Sequence, residues 1–180
     1  MKIKRRSQQA FLELRSREQQ GMISQYFMKN LSKNALAPLC LRVTIGFGFM
    51  MHGWAKISRG TAGFEKLLSA SGIPLPHINA HIVPYIELLG GTAIFLGAGV
   101  VIIAIPLIIT MLTAMLTIQI HFGFSSVNTI GLNANGPVFG PPGYEINLLY
   151  IAGLVSLIFT GAGAISVDHW LNRRKKLNYR

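Results

Sequence analysis

The fold is decided by residues 88–118, which read LLGGTAIFLGAGVVIIAIPLIITMLTAMLTI. These 31 consecutive residues carry no charge. A single transmembrane helix needs about 20 apolar residues, so the stretch is too long for one span. Gly97, Ala98 and Gly99 lie where a tight turn would divide it. The stretch therefore predicts a helical hairpin, with one span at about residues 79–98 and the next at about residues 101–121.

Two further apolar stretches flank this hairpin in the sequence. The first runs from Leu36 to Trp54 and contains one charged residue, Arg42, while the last covers about residues 146–165. Only 13% of the residues are charged, whereas a typical soluble domain has roughly 25%. Composition and pattern together predict an all-α fold, an integral membrane four-helix bundle.

Basic residues are concentrated near the two ends of the sequence. Of the 17 Lys and Arg residues, 13 lie in residues 1–33 and 170–180, and three (Lys56, Arg59 and Lys66) follow the first span. Basic flanks mark the cytoplasmic side of a membrane protein. We therefore predict a basic cytoplasmic segment (1–33), a four-span membrane domain (34–169) and a basic cytoplasmic tail (170–180). The net charge of +11 does not indicate nucleic-acid binding, because no basic face of a soluble module is present.

Two connecting segments are predicted between the spans. Residues 57–80 are expected to form a polar connection, in which Pro74 and Pro76 stop any helix. Residues 122–144 are rich in Gly and Pro and carry no charge. We expect this second segment to be a long loop, and loops of this length are usually functional or disordered. Because the segment is so apolar, we expect it to fold onto the bundle.

Each predicted span carries small or ionisable residues at helical spacing on one face. Such stripes mark helix contacts in a membrane, because small residues allow close approach and polar groups avoid lipid. The spacing predicts that five ionisable residues face the interior of the bundle: Arg42, His52, Glu87, His121 and Glu145. Four of them, all except Arg42, are predicted to line a polar pocket in the outer half of the membrane.

The same residues give the sequence a resemblance to the DoxX family of small four-helix membrane proteins, over roughly residues 36–169. The matching elements are Arg42, His52-Gly53 with Lys56, Phe64, Gly72-Ile73-Pro74, Glu87 with Gly90-Gly91, Gly97, His121, Asn135-Gly136, Gly143-Tyr144-Glu145 and Gly161-x-Gly163-x-x-Ser166-x-Asp168. Two features depart from the family pattern. The turn Gly97-Ala98-Gly99-Val100 lacks the basic residue that is common there, and residues 1–33 have no counterpart.

The resemblance implies a role in membrane oxidoreductase assemblies, which include a thiosulfate:quinone oxidoreductase, and in oxidative or quinone stress. It also implies a multi-pass protein of the bacterial plasma (inner) membrane. The partners expected are the lipid bilayer and a soluble or membrane redox protein. A non-enzymatic scaffold or assembly factor is the alternative, and a transporter has less support because no pair of broken helices is evident.

The candidate catalytic residues are Glu87, His52 and His121. A carboxyl group buried in a bundle can exchange a proton near neutral pH, so Glu87 is predicted to handle protons beside a quinone or thiol substrate. The alternative is that Glu87 only pairs with another polar group in the membrane. Glu145 and Tyr144 are candidate substrate-binding residues.

Arg42 is a further candidate for substrate binding, although a structural role, in which it bonds carbonyl groups of a neighbouring helix, is favoured. A quinone is the cofactor considered. Haem held by His52 and His121 is disfavoured, because no spacing pattern singles out such a site. No metal site is predicted, and the single cysteine, Cys40, excludes a disulfide within the chain.

Overall fold

The structure is a computed structural model that describes residues 33–178. The described residues form six α-helices: α1 (Lys33–Ser58), α2 (Thr61–Ala70), α3 (Pro76–Leu96), α4 (Val100–Thr117), α5 (Glu145–Thr160) and α6 (Val167–Asn178). A 3-10 turn (Gln119–Phe122) and an antiparallel hairpin of β1 (Thr129–Asn133) and β2 (Gly136–Phe139) lie between α4 and α5. Nearly all of the predicted basic segment 1–33 lies outside the described residues.

Apolar helices occupy all four positions predicted for spans. α1, α3 and α4 are long and apolar enough to cross a bilayer. α5 is also apolar but has only 16 residues, which extend about 24 Å against a hydrocarbon core of about 30 Å. The chain is thus a mostly helical integral membrane protein, as predicted.

The turn between α3 and α4 lies where the sequence placed it. Gly97 and Gly99 have positive φ angles of 73° and 61°, a left-handed conformation that glycine adopts without steric cost. The N–H groups of Gly97 and Ala98 donate to the last carbonyl groups of α3, those of Ile94 and Ala93. The predicted helical hairpin is therefore confirmed, and its tight turn depends on glycine.

α1 and α3 pack through a seam of glycines. A Cβ atom at Gly46 would lie 2.6 Å from the backbone nitrogen of Phe95, and one at Gly53 would lie 2.5 Å from the carbonyl oxygen of Pro84. Only glycine allows the two backbones to approach this closely. The seam confirms the predicted stripe of small residues on these two helices, and it fixes which side chains of α1 reach α3.

The segment 57–80 contains more regular structure than predicted. It includes the helix α2, which buries Leu68 against the bundle. Pro76 begins α3 instead of stopping a helix. Proline suits the first turn of a helix because the N–H group that it lacks would have no partner there.

The segment 122–144 also differs from the prediction. Its two strands are largely exposed, so the segment does not fold onto the bundle over that length. The backbone groups of the hairpin bond each other, and the strands can therefore leave the bundle without unpaired polar groups. We call the end of the bundle that carries α2 and this hairpin the loop end. The opposite end, which carries the start of α1 and α6, is the tail end.

Candidate functional site

A buried ion pair joins α1 to α3 near the loop end. Both carboxylate oxygens of Glu87 accept hydrogen bonds from Lys56 Nζ, at 2.5 and 2.6 Å. Glu87 is 1% exposed and Lys56 is 25% exposed. A buried charge needs such a partner, because desolvation of an unpaired carboxylate costs several kcal/mol. The expectation that Glu87 faces the interior is confirmed, and Lys56 is its partner.

The glycine seam explains why the two side chains meet. Gly53 contacts the backbone of α3 at Pro84 and Leu88, and Lys56 lies one helical turn beyond Gly53. Residues three positions apart on a helix share a face. The close approach at Gly53 therefore brings Lys56 to the height of Glu87.

A cavity of about 650 Å³ opens beside this pair, between the end of α1 and α2. We call it the ion-pair cavity, and its lining residues are Met51, His52, Ala55, Lys56, Arg59, Gly60, Gly63, Phe64 and Leu67. Lys56 Nζ lies 4.7 Å from the centre of the Phe64 ring, within the range of a cation–π interaction. The pair is thus closed on the side of Glu87 and accessible on the side of Lys56.

An aromatic cluster borders this region on α1 and α5. The Tyr150 ring centre lies 5.1 Å from that of Phe49, with the rings perpendicular, and 6.0 Å from that of His52. The Tyr150 hydroxyl lies over Gly48, where a Cβ atom would collide with it. Sequence reasoning missed Tyr150, because only the packing of α5 on α1 shows that it touches a proposed site residue.

Glu145 and Tyr144 lie at the loop end but belong to a different set of contacts. Glu145 Oε2 accepts hydrogen bonds from the backbone N–H of Ser126, at 2.9 Å, and from its hydroxyl, at 2.7 Å. These two bonds, the backbone one first, hold the pKa of the Glu145 carboxyl below its usual value. The Tyr144 ring packs against Phe124, with 5.5 Å between ring centres. Both residues therefore attach the loop to the start of α5.

His121 lies in the 3-10 turn after α4 and is exposed. α4 ends at Thr117, so the stripe predicted for the third span does not continue to His121. Within residues 33–178, neither it nor Glu145 nor Tyr144 makes a hydrogen bond or aromatic contact with the Lys56–Glu87 pair. The structure thus brings His52 and Glu87 to one region and leaves the other three candidates apart from it.

Arg42 lies at the tail end, far along α1 from the ion pair. It is 1% exposed, and its Nη2 atom donates a hydrogen bond to the carbonyl oxygen of Ile165. A Cβ atom at Gly97 would overlap Nη1, so the guanidinium group is enclosed by the α3–α4 turn. Bonding to a carbonyl group is the structural role that the sequence favoured for Arg42.

Asp168 completes the contacts at the tail end. Its carboxylate accepts hydrogen bonds from the N–H groups of Gly99, at 2.8 Å, and Val100, at 3.3 Å. Its own N–H donates to the carbonyl oxygen of Gly97, at 3.0 Å. An acidic residue at the start of a helix bonds the free N–H groups and opposes the helix dipole. Asp168 therefore fastens the start of α6 to the start of α4.

The described residues contain no group of three or more His, Cys, Asp or Glu side chains that could hold a metal ion. Side chains that suit an uncharged ring with carbonyl groups are present in the ion-pair cavity. His52 and Lys56 offer hydrogen-bond donors, and Phe64 offers an aromatic face.

Known proteins resemble this chain over most of its length. The DoxX family model matches residues 37–120. Inner membrane protein YqjF of Escherichia coli (strain K12) is 30% identical over 139 residues, which cover 76% of this chain and 92% of that protein. The chain belongs to the DoxX family. With its long apolar helices, this DoxX protein is a multi-pass protein of the inner membrane.

Two further relatives match this DoxX protein over a similar length. One, from Bacillus subtilis (strain 168), carries the name "Putative oxidoreductase CatD" and is 26% identical over 141 residues, which cover 78% of this chain and 91% of CatD. Membrane protein Rv3486 of Mycobacterium tuberculosis (strain ATCC 25618 / H37Rv) is 26% identical over 144 residues, covering 76% of this chain and 82% of that protein. No solved structure matches the chain.

Proposed function

We propose that this DoxX protein is a membrane subunit of an oxidoreductase assembly. It binds a quinone, or another small apolar redox molecule, next to the Lys56–Glu87 pair. The observation that carries the proposal is that this buried pair borders an open cavity through Lys56. Ionisable groups inside a membrane are costly and usually serve a function. The name of one relative, "Putative oxidoreductase CatD", agrees with this class of activity.

The proposed topology has four crossings, with both ends of the chain in the cytoplasm. The excess of Lys and Arg near the ends supports it, because 13 of the 17 lie in residues 1–33 and 170–180. The fourth crossing consists of α5 from Ile146 onward and the residues that follow it toward α6, so Glu145 lies just outside it at the loop end. In this orientation the loop end, with the ion-pair cavity, faces the outer side of the inner membrane.

The chemistry of the site follows from the proton balance of quinone reduction. Reduction of a quinone to a quinol takes up two electrons and two protons. A dithiol on a separate redox protein supplies both when it closes to a disulfide, so the reaction is balanced. Lys56 donates protons to the ring oxygens and regains them from water in the cavity. Glu87 positions Lys56 beside the cavity and passes protons to it across their hydrogen bonds.

A scaffold or assembly factor is the second candidate, and the tail end favours it. There Arg42 and Asp168 bond backbone groups of neighbouring segments. If the ion pair has the same purpose, Glu87 and Lys56 also serve helix packing alone.

Glu87→Gln distinguishes the two candidates. The amide has the same shape but cannot exchange a proton, so we expect activity per folded molecule to fall about 100-fold, while the amount of folded protein changes little. The matched control is Leu88→Gln, which places a polar group beside the Gly53 contact. It should lower the amount of folded protein and leave the activity per molecule intact.

The measurement is dithiol-dependent quinone reduction by membranes, together with growth under quinone or thiol stress, each normalised to folded protein. Full normalised activity in Glu87→Gln would remove the proton-handling role and favour the scaffold.

A further inference from the structure

The helix α6 has a fixed start at the tail end of the bundle. The Ser166 hydroxyl, just before the helix, accepts a hydrogen bond from the N–H group of His169 at 3.1 Å. A serine in this position satisfies a free N–H group of the first turn. Asp168 bonds both sides of the α3–α4 turn, at Gly97 and Gly99. The first turn of α6 is therefore held against the α3–α4 turn.

The α3–α4 turn sets the depth at which α6 begins. α3 and α4 are both long and apolar enough to cross a bilayer, and the turn joins the end of one to the start of the other. Irregular backbone that faces lipid is not found in the hydrocarbon region, so such a turn lies at the membrane surface. α6 therefore begins at the level of the lipid headgroups, and its 12 residues extend about 18 Å from there.

An apolar stripe runs along the first half of α6. Val167, Trp170 and Leu171 are three and four residues apart, a spacing that places them on one face of a helix. Val167 is half-buried, whereas Trp170 is 49% exposed and Leu171 is 44% exposed. The bundle thus covers the start of the stripe and leaves the rest open. Tryptophan is enriched at the boundary between lipid and water, because its ring is apolar and its N–H group is polar.

Two arginines follow the stripe on the same face. Arg173 lies three residues after Trp170, Arg174 lies three residues after Leu171, and both arginines are exposed. The guanidinium carbon of Arg174 lies 3.8 Å from the centre of the Trp170 ring, within the range of a cation–π interaction. A guanidinium group has five N–H donors in a planar fork that matches the oxygens of a phosphate group. This face therefore pairs a boundary aromatic ring with phosphate donors.

The charge of this segment has one sign. Residues 167–180 contain five basic residues and a single acidic one, Asp168. The carboxylate of Asp168 is already bonded to the N–H groups of Gly99 and Val100. The basic excess complements a negatively charged membrane surface, which attracts basic segments next to a membrane span.

We propose that α6 lies along the membrane surface and binds anionic phospholipids. Trp170 and Leu171 enter the boundary between headgroups and acyl chains, while Arg173 and Arg174 bond the phosphate groups. An acidic soluble protein fits less well, because the apolar stripe continues outward from the membrane-embedded bundle at headgroup level. The inference does not rest on the proposed function, since α6 contributes no residue to the ion-pair cavity.

The test uses the fluorescence of Trp170 in the full-length protein. The sequence contains two tryptophans, Trp54 and Trp170, so Trp54→Phe leaves Trp170 as the only one. The protein is reconstituted in phosphatidylcholine vesicles that contain a minor share of a lipid brominated near the top of its acyl chains. This quenching lipid is either phosphatidylglycerol or phosphatidylcholine, at the same mole fraction. Bromine quenches only a nearby indole ring, so the two preparations compare the lipids next to Trp170.

We expect brominated phosphatidylglycerol to quench Trp170 about twofold to fivefold more than brominated phosphatidylcholine. High salt should reduce this difference, because it screens exposed charges. Equal quenching by the two lipids would overturn the preference for anionic headgroups. Trp170 emission typical of water, with quenching by neither lipid, would show that α6 projects away from the membrane and would overturn its position as well.

Charge variants locate the lipid contact on α6. Arg173→Gln/Arg174→Gln should bring the ratio of the two quenching efficiencies close to that of a neutral surface. Arg59→Gln/Lys66→Gln removes the same charge at the loop end and should leave the ratio unchanged. The ratio is taken within each variant, so a direct effect of Arg174 on the Trp170 ring cancels. An equal loss of preference in both double variants would show that only the net charge matters, and would overturn the assignment to α6.

Discussion

Arg42 and Glu87 are equally buried, at 1% exposure each, but their surroundings differ. Arg42 is enclosed by backbone at the tail end and bonds the carbonyl oxygen of Ile165. Glu87 is paired with Lys56, which is 25% exposed and lines an open cavity at the loop end. Burial alone therefore does not distinguish these two charged residues. The difference lies in whether the partner of the buried charge can be reached from outside.

The largest effect is expected from Lys56→Met, which breaks the ion pair and leaves the Glu87 carboxylate buried without its partner. Removal of one member of a buried pair costs about 3 to 5 kcal/mol, so the free energy of unfolding should fall by about that amount. The double variant Lys56→Met/Glu87→Gln should recover most of the loss, because no unpaired charge remains. Denaturant unfolding in mild detergent measures both. If the single variant is as stable as the unmodified protein, water already reaches Glu87, and the contrast with Arg42 disappears.

A smaller effect is expected from Arg42→Met, because methionine fills much of the same space. The Ile165 carbonyl group loses a donor, which should lower the free energy of unfolding by about 1 to 3 kcal/mol. Activity per folded molecule should not change, in contrast with Glu87→Gln. Arg174→Met, an exposed substitution at the tail end, serves as the matched control and should have little effect on stability. A loss of normalised activity in Arg42→Met alone would show that the tail end takes part in function.

The smallest effect concerns the Glu145–Ser126 contacts, which attach the loop to α5. The pKa of Glu145 is lower in the folded protein than in the unfolded chain, because the Ser126 N–H and hydroxyl bond the carboxylate. The stabilisation by these contacts is therefore fully present when the pH is above the pKa that Glu145 has in the unfolded chain. It is lost as the pH falls through the pKa of Glu145 in the folded protein. Hydrogen exchange at Ser126, corrected for the intrinsic rate, should become faster under acid. In the Glu145→Gln variant, the Ser126 N–H should be only weakly protected from exchange at every pH. Protection that still changes with pH in this variant would contradict the explanation.

The sequence by itself determined the class of the protein and much of its helical layout. The uncharged stretch 88–118 predicted the α3–α4 hairpin, because its length and its central glycines are local properties of the chain. The glycine stripes predicted for the same reason that α1 and α3 each make a close helix contact, but not that they contact each other. Helical spacing also turned Arg42 and Glu87 inward, as the structure confirms. It failed at His121, because the spacing assumed a helix that ends four residues earlier.

Only the tertiary structure decided which polar groups meet. Lys56 and Glu87 are 31 residues apart in the chain, and their contact depends on the rotation and offset that the Gly53 seam imposes on two helices. Asp168 caps α4 from a distance of 69 residues, and no local pattern specifies that partner. A cavity of about 390 Å³ likewise exists only because α2 covers the space between α3 and α4. Periodicity reports the face of one helix, whereas the position of one helix against another arises from the packing of all of them.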